Sequence, residues 1–171
     1  MNKHTSIIAL TTEQIVFIQG NVTIYAAATG ADLSPQIARA AGCRVNTKEN
    51  HVTIFLGAAR ASALLAAVRA HHTLAVVFSQ PGIHKAMQLK TRAADIVSLQ
   101  RDDAVFIADY CERMIAHITP LGFAPDMLRA FFSIPLSDAV ALQFTPDDAF
   151  DQTPGPNAGV ALAGTAPAIP A

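Results

Sequence analysis

The polar side chains best placed to bind a ligand stand close together in one stretch of the sequence. His84, Gln88 and Lys90 follow a short apolar run, Leu74 to Ser79, and a turn. We predict that a strand begins near His84 and extends at least to Val97. Because successive side chains of a strand point to opposite faces, these three polar residues would share one face. An imidazole, an amide and an ammonium group in line can form the wall of a polar ligand site.

A second group of polar residues stands at the start of a predicted helix. Alanine and leucine dominate residues 57–70, and both favour a helix. Arg60 and Ser62 lie near the first turn, where backbone N–H groups and the helix dipole attract anions. The position suits a phosphate, and a solvated helix start is the alternative interpretation.

Other familiar sites of chemistry are missing from the sequence. It contains no glycine-rich dinucleotide loop, P-loop, His-Glu-x-x-His motif or nucleophile elbow. His71 and His72 are adjacent before a strand, and adjacent side chains on a strand diverge. That geometry is poor for chelation, so we predict no metal site.

The remaining reactive residue types have structural interpretations. The pairs Asp102-Asp103 and Asp147-Asp148 are typical of solvated ends of helices and loops rather than of an acid–base pair. Cys43 and Cys111 are too few and too isolated for a disulfide scaffold or a cysteine-rich metal site. We predict that both are buried apolar residues.

Composition narrows the class of protein. Apolar residues make up 51% of the chain and charged residues 15%, with a net charge of −1. This charge gives no basic field for nucleic acid or for a membrane surface. The apolar run from Ile7 to Leu10 is too short for a signal peptide or a bilayer span, so we expect a cytoplasmic protein. We predict one domain, residues 1–160, and a flexible Ala- and Pro-rich tail, residues 161–171.

The order of predicted elements indicates an antiparallel sheet with flanking helices. Such a sheet tends to close into a barrel, which removes exposed edges. Three early strands should form a meander, and the last strand should be Asp138 to Phe144. We predict helices over residues 11–19, 57–70, 101–119 and from 125 onward, and strands over residues 21–29, 36–45, 51–56, 74–79, 84–97 and 138–144.

Three segments in this order resemble the pyridoxamine 5′-phosphate oxidase-like, FMN-binding split-barrel family. They are a helix with leucine and arginine (Leu64 to Ala70), an apolar strand (Leu74 to Phe78) and a His-x-x-x-Gln-x-Lys strand (His84 to Lys90). The segment Gln152 to Pro156 looks like one small-protein branch of the family. The resemblance covers roughly residues 10–160 and implies a mainly β, antiparallel six-stranded split β-barrel.

The resemblance also implies a homodimer that holds FMN in a groove at the dimer interface. The residues that match cofactor-contacting positions are Arg39, Arg60, Ser62, His84, Gln88 and Lys90. By this match the first three would contact the phosphate and Gln88 and Lys90 the flavin, with His84 at the edge. An amide can hydrogen-bond the heteroatoms of the ring, and a cation near the ring can stabilise the anionic reduced flavin.

The implied function is flavin-dependent oxidation or reduction of an unknown small molecule. The chain departs from the full-length oxidases, because it lacks their Arg-x-Val-Leu-Leu-Lys strand, Ser-Arg-Lys turn and C-terminal substrate-binding arginines. These departures argue against pyridoxamine phosphate as the substrate. Two alternatives remain open: a non-catalytic flavin-binding protein, and a haem-handling protein with His84 or His117 as axial ligand.

Overall fold

The computed structural model describes residues 8–162, so the predicted tail lies outside the described residues from residue 163 onward. No helix within the described range is long and apolar enough to cross a membrane. In chain order the helices and strands are α1 Thr12–Ile18, β1 Thr23–Thr29, β2 Pro35–Asn46, β3 His51–Gly57, α2 Ser62–His71, β4 Leu74–Ser79, β5 Ala86–Thr91, β6 Ala94–Val97, α3 Asp103–Ile118, α4 Pro125–Phe132, β7 Ala139–Phe144 and β8 Asp148–Asp151.

All strands belong to one antiparallel sheet in the order β6-β7-β3-β2-β1-β4-β5-β8. The predicted mainly β architecture with flanking helices is confirmed, as is the meander of β1, β2 and β3. The predicted number of six strands is wrong, because the described sheet has eight. Two local features of the chain, at Arg92 and after Phe144, account for the difference.

The predicted single strand from His84 to Val97 is two strands. After Thr91 the backbone donors turn to other partners: Arg92 N donates to Asp147 Oδ2 at 2.7 Å and Ala93 N donates to Thr91 Oγ1 at 3.1 Å. The chain then crosses to the opposite edge of the sheet, where β6 pairs with β7. Side-chain acceptors therefore interrupt a segment whose residue types alone suit a continuous strand.

The predicted last strand, β7, is followed by a further one. Residues Asp148–Asp151 form β8, which pairs with β5 from Met87 opposite Asp151 to Lys90 opposite Asp148. An aspartate at each end and only four residues give β8 almost no strand pattern of its own. Its pairing partner, rather than its composition, makes it a strand.

Side chains that point to one side of the sheet form the main core. They alternate along β1, β4 and β5, and α2, which contacts β1, β2 and β6, adds Leu64, Leu65 and Val68 to the same core. The helix begins at Ser62, later than predicted, because the residues before it are held in a turn. Ala58 N donates to the Asp138 carbonyl oxygen at 2.7 Å, and Ala59 N to its Oδ1 at 3.0 Å. This turn sets where α2 starts.

Helix α3 packs against the opposite, outer side of the sheet beside a bulge in β2. Gly42 lies at the bulge with φ +122°, and a Cβ there would stand 3.4 Å from the Phe55 and Tyr110 side chains. A glycine fits both the backbone conformation and this close approach. Tyr110 donates its hydroxyl to the Val22 carbonyl oxygen at 2.9 Å, and burial raises its pKa. Phe55, on the outer side of β3, is thereby fully buried.

Candidate functional site

The outer side of the sheet has a covered half and an uncovered half. On β3 the outward side chains of Thr53 and Phe55 are buried, whereas on β1 and β2 the outward Tyr25 and Ile37 are 43% and 64% exposed. We call the uncovered half the open face. Its residues are Tyr25, Ala27, Thr29, Ile37, Ala75, Val77, Gln88, Lys90 and Phe150.

Strand register places the open face in two neighbouring rows. One row runs across Arg39, Tyr25, Val77, Gln88 and Phe150, and the next across Ile37, Ala27, Ala75, Lys90 and Asp148. Arg39 and Gln88 are three strand spacings apart, about 14 Å between backbones. The floor consists of Tyr25 and Val77 in this row and of Ala27 and Ala75 in the next, so a flat ligand can lie over the alanines between polar ends.

Gln88 and Lys90 share the outer face of β5, as predicted, since Met87 and Leu89, which alternate with them, are buried. The Gln88 Oε1 accepts a hydrogen bond from Gln152 Nε2 at 3.3 Å. The Lys90 Nζ lies 4.7 Å from the centre of the Phe150 ring. Both neighbours follow β7 in a part of the chain for which the sequence predicted only a loop, and no sequence pattern assigns them to this site.

A cavity of about 340 Å³ continues the open face past Lys90. It lies where β1 and β5 end and β4 begins, and its polar lining includes Thr29, Thr73, Lys90, Arg92 and Asp148. Two cations and one carboxylate at its walls make it a polar cavity next to an apolar floor. The open face therefore ends in a recess that can hold polar groups of a ligand.

His84 does not belong to the polar row of β5. It lies in the turn between β4 and β5, is exposed, and has φ +57°. The bond from Gln80 N to the Lys85 carbonyl oxygen, 2.8 Å long, closes this turn before the strand begins at Ala86. The prediction that His84 shares a strand face with Gln88 and Lys90 is therefore wrong.

Arg39 is on β2 and Arg60 is in the turn between β3 and α2, and their like charges interact. Burial lowers the pKa of the Arg39 guanidinium, and the charge of Arg60 adds to that lowering. Arg60 and Ser62 are exposed, and Ser62 is the first residue of α2. The charge of Arg60 therefore acts on the β2 end of the open face, opposite Gln88 and Lys90, whereas Ser62 belongs to α2, which contacts β1, β2 and β6.

The Arg39 guanidinium is turned toward α4. Its central carbon lies 4.1 Å from the centre of the Phe131 ring and 5.0 Å from that of Phe132. The Nη1 atom is buried and has no hydrogen-bond partner among residues 8–162. The family resemblance predicted a role for the arginine but not for its aromatic neighbours, which are about 90 residues away along the chain.

The two acidic pairs each contain one buried residue, contrary to their predicted solvation. Asp103 is 1% exposed and accepts hydrogen bonds from Arg44 Nε at 2.9 Å and Gln100 N at 2.8 Å. Asp147 is 5% exposed and accepts from Arg92 N. Both carboxylates have structural partners and neither belongs to the open face.

The described residues contain no group of three or more His, Cys, Asp or Glu side chains that could hold a metal ion. Cys43 and Cys111 are both buried and not disulfide-bonded, as predicted. Burial raises the pKa of each thiol. Neither cysteine is poised as a nucleophile.

No family model matches the chain, and a comparison with curated proteins finds no match. Several solved structures, by contrast, match this chain over most of its length and most of their own. HupZ from Group A Streptococcus has 13% identity, covers 88% of this chain and 100% of its own, and gives a TM-score of 0.53. An F420 reductase has 12% identity, coverage of 82% and 98%, and a TM-score of 0.52.

A further match is a protein from Clostridium acetobutylicum related to general stress protein 26 and described as of the pyridoxinephosphate oxidase family. It has 13% identity, covers 82% of this chain and 84% of its own, and gives a TM-score of 0.50. At these identities the likeness concerns the fold. The antiparallel sheet, its flanking helices and these matches together show that the chain has the split-barrel fold of the pyridoxamine 5′-phosphate oxidase-like proteins.

Proposed function

We propose that the protein binds FMN on the open face. The observation that carries this proposal is the pair of neighbouring rows in which Tyr25 and Val77 lie between Arg39 and Gln88, and Ala27 and Ala75 lie between Ile37 and Lys90. A flavin needs a flat apolar surface for its ring, hydrogen-bonding groups for ring heteroatoms and cations for its phosphate. Ala27 and Ala75 leave space on the floor, and the flanking side chains match the polar needs.

Each end of the open face suits a different part of the cofactor. Gln88, with its amide oriented by Gln152, would hydrogen-bond the ring. Arg60 and Ser62, at the start of α2, would hold the phosphate, where backbone N–H groups add to their attraction. Arg39 is left out of this assignment, because its guanidinium lies against the phenylalanines of α4.

The proposed activity is an oxidoreduction of a small molecule. FMN, when bound, supplies transfer of a hydride or of single electrons. Lys90 would place positive charge beside the ring and so favour negative charge on it. A flavin-binding protein without turnover is the competing function. Oxidation of reduced nicotinamide by the FMN-loaded protein, followed by absorbance, distinguishes the two.

Replacement of Lys90 by alanine is expected to weaken FMN binding by roughly tenfold, the usual contribution of a hydrogen bond to a charged group. The measurement is a titration of FMN with protein, followed by quenching of flavin fluorescence. The fold should be unchanged, since Lys90 is exposed and its ammonium group forms no hydrogen bond or salt bridge within residues 8–162 apart from its contact with the Phe150 ring.

Lys48→Ala is the matched control, because Lys48 is an exposed lysine in the turn between β2 and β3. It should bind FMN like the parent protein. Equal affinities for Lys90→Ala and the parent would contradict the assignment of β5. A protein that quenches no flavin fluorescence would remove the whole proposal, and a haem Soret band in the purified protein would favour the haem alternative.

We also propose that two copies associate through the open face. Ile37 is 64% exposed and Tyr25 43%, and they stand among small apolar side chains on a surface without helix cover. Apolar patches of this kind commonly mark interaction sites. A second copy seated here would bury the patch and enclose the cofactor between protomers.

Ile37→Asp is expected to weaken this association by at least about tenfold, because a carboxylate would be buried without a partner. Light scattering over a concentration series measures the molar mass. Val105→Asp is the control, since Val105 is 67% exposed on α3, away from the open face. A parent protein that is monomeric throughout, or equal dissociation by both variants, would contradict the proposed interface.

A further inference from the structure

We propose that the cavity at the end of β5 binds the carboxylate of a small organic acid, and that this acid is the substrate of the flavin. The cavity has a volume of about 340 Å³, and we call it the recess. The binding of an acid in the recess depends only on the residues of the recess. The role of that acid as a substrate rests on the proposed flavin function.

The recess shares part of its wall with the floor of the open face. Ala27 and Ala75 line the recess, and the same two alanines lie between Ile37 and Lys90 in the strand register. The volume of the recess is within the range of small-molecule sites. A flavin that lies over the alanines would therefore border any molecule in the recess, as a flavin must border its substrate.

Five polar side chains from separate segments converge on the recess. Thr29 ends β1, Thr73 precedes β4, Lys90 and Arg92 lie at the end of β5, and Asp148 begins β8. No side-chain hydrogen bond within residues 8–162 involves any of the five. The remaining lining is largely apolar, and a few convergent polar groups on an apolar lining are typical of ligand sites.

Arg92 is the residue best placed to bind an anion in the recess. Its Nη1 lies 3.7 Å from Asp147 Oδ2 and 4.0 Å from Asp148 Oδ2, and both distances are longer than a hydrogen bond. Arg113, by contrast, donates to Asp109 at 2.7 Å. The Arg92 side chain is 66% exposed, and its backbone is fixed by the bond from Arg92 N to Asp147. Its guanidinium donors are therefore available on a fixed segment.

The charges around the recess favour a singly charged acid. The lining contains two cations, Lys90 and Arg92, and one carboxylate, Asp148. Asp147 also lies near Arg92, so the positive surplus is no larger than one. The Lys90 ammonium contributes to this surplus, because it lies over the Phe150 ring although Asp148 stands opposite Lys90 in the register. A carboxylate, with one charge and two oxygens for the guanidinium fork, fits these charges better than a phosphate dianion.

The test is a titration of the isotope-labelled full chain with benzoate and with benzamide, its uncharged analogue, followed by nuclear magnetic resonance. Without FMN, benzoate should shift the amide signals of Thr29, Thr73 and Arg92. It should bind about tenfold more tightly than benzamide, because only the acid forms charged hydrogen bonds. Arg92→Gln should weaken benzoate binding by about tenfold and leave benzamide binding unchanged.

Two further variants control for general effects of charge. Arg101→Gln should bind benzoate like the parent protein, because Arg101 is an exposed arginine before α3 and does not line the recess. Asp148→Asn should bind benzoate about twofold to fivefold more tightly, since it removes a negative charge beside the ligand. Equal affinities for benzoate and benzamide, or an unchanged benzoate affinity in Arg92→Gln, would overturn the proposed acid site.

A second titration, with FMN present, separates the substrate role from the flavin function. Benzoate should shift the visible absorbance of the bound flavin, because the acid would lie next to the ring. An unshifted flavin spectrum at saturating benzoate would overturn the substrate role. Benzoate binding by a chain that binds no FMN would contradict the flavin function and support the acid site alone.

Discussion

Replacing Asp103 with alanine is expected to lower the free energy of unfolding by about 3 to 5 kcal/mol, the usual cost of breaking a buried ion pair. The carboxylate is 1% exposed and accepts hydrogen bonds from Arg44 Nε and from Gln100 N. Without it, a guanidinium that is only 16% exposed keeps its charge but loses its partner. The first turn of α3 also loses its connection to β2.

Asp102→Ala is the matched control. It replaces the neighbouring aspartate and changes the net charge by the same amount as Asp103→Ala. Asp102 is exposed and its side chain makes no capping hydrogen bond to α3. We expect it to change stability by less than about 0.5 kcal/mol. Urea unfolding followed by circular dichroism measures both variants. Similar losses for the two aspartates would show that charge near α3, rather than the buried pair, stabilises the protein.

These two aspartates show why sequence alone could predict the elements but not all of their partners. Asp102 and Asp103 are adjacent, acidic and at a helix start, so local pattern gives both the same interpretation. Asp103 is distinguished by Arg44, which is 59 residues earlier. Such a contact depends on where the chain folds back, and it cannot be predicted from the residue types near Asp103.

Local periodicity, by contrast, correctly predicts which side chains point outward in a strand that has one buried face. The alternation of Met87 and Leu89 with Gln88 and Lys90 identified the outward pair, since strand geometry fixes which side chains share a face. The same reasoning failed at His84, because a turn with φ +57° precedes the strand. It also failed at Arg92, where a side-chain acceptor from another segment ends the pairing.

The same distinction between local patterns and long-range contacts applies to the residues of the candidate sites. Residues of the flavin proposal on β5 follow from a strand pattern and a family resemblance. The packing of Arg39 on Phe131 follows from neither, because the two residues come from distant segments and only the fold brings them within 4.1 Å. Even the adjacent Phe131 and Phe132 have different environments, one exposed and one buried.

Asp147→Ala is expected to lower the free energy of unfolding by about 2 to 3 kcal/mol, the contribution of a hydrogen bond to a charged group plus the cost of a donor left without an acceptor. The Asp147 Oδ2 accepts from Arg92 N at 2.7 Å, where the chain leaves β5 for β6. Its own N–H donates to the Lys90 carbonyl oxygen at 2.8 Å. The carboxylate therefore fixes the bend that separates two strands and joins it to the start of β8.

Asp148→Ala is the control for this variant, because Asp148 is the next residue and approaches the same Arg92 side chain, at 4.0 Å. Its side chain is 44% exposed and its contact is with a guanidinium that is 66% exposed, so its loss should cost less than about 1 kcal/mol. Urea midpoints measure both effects, and hydrogen exchange of the Arg92 amide should increase in Asp147→Ala alone. Equal destabilisation by the two variants, with Arg92 exchange unchanged, would mean that the bend is set by strand pairing and not by the buried carboxylate.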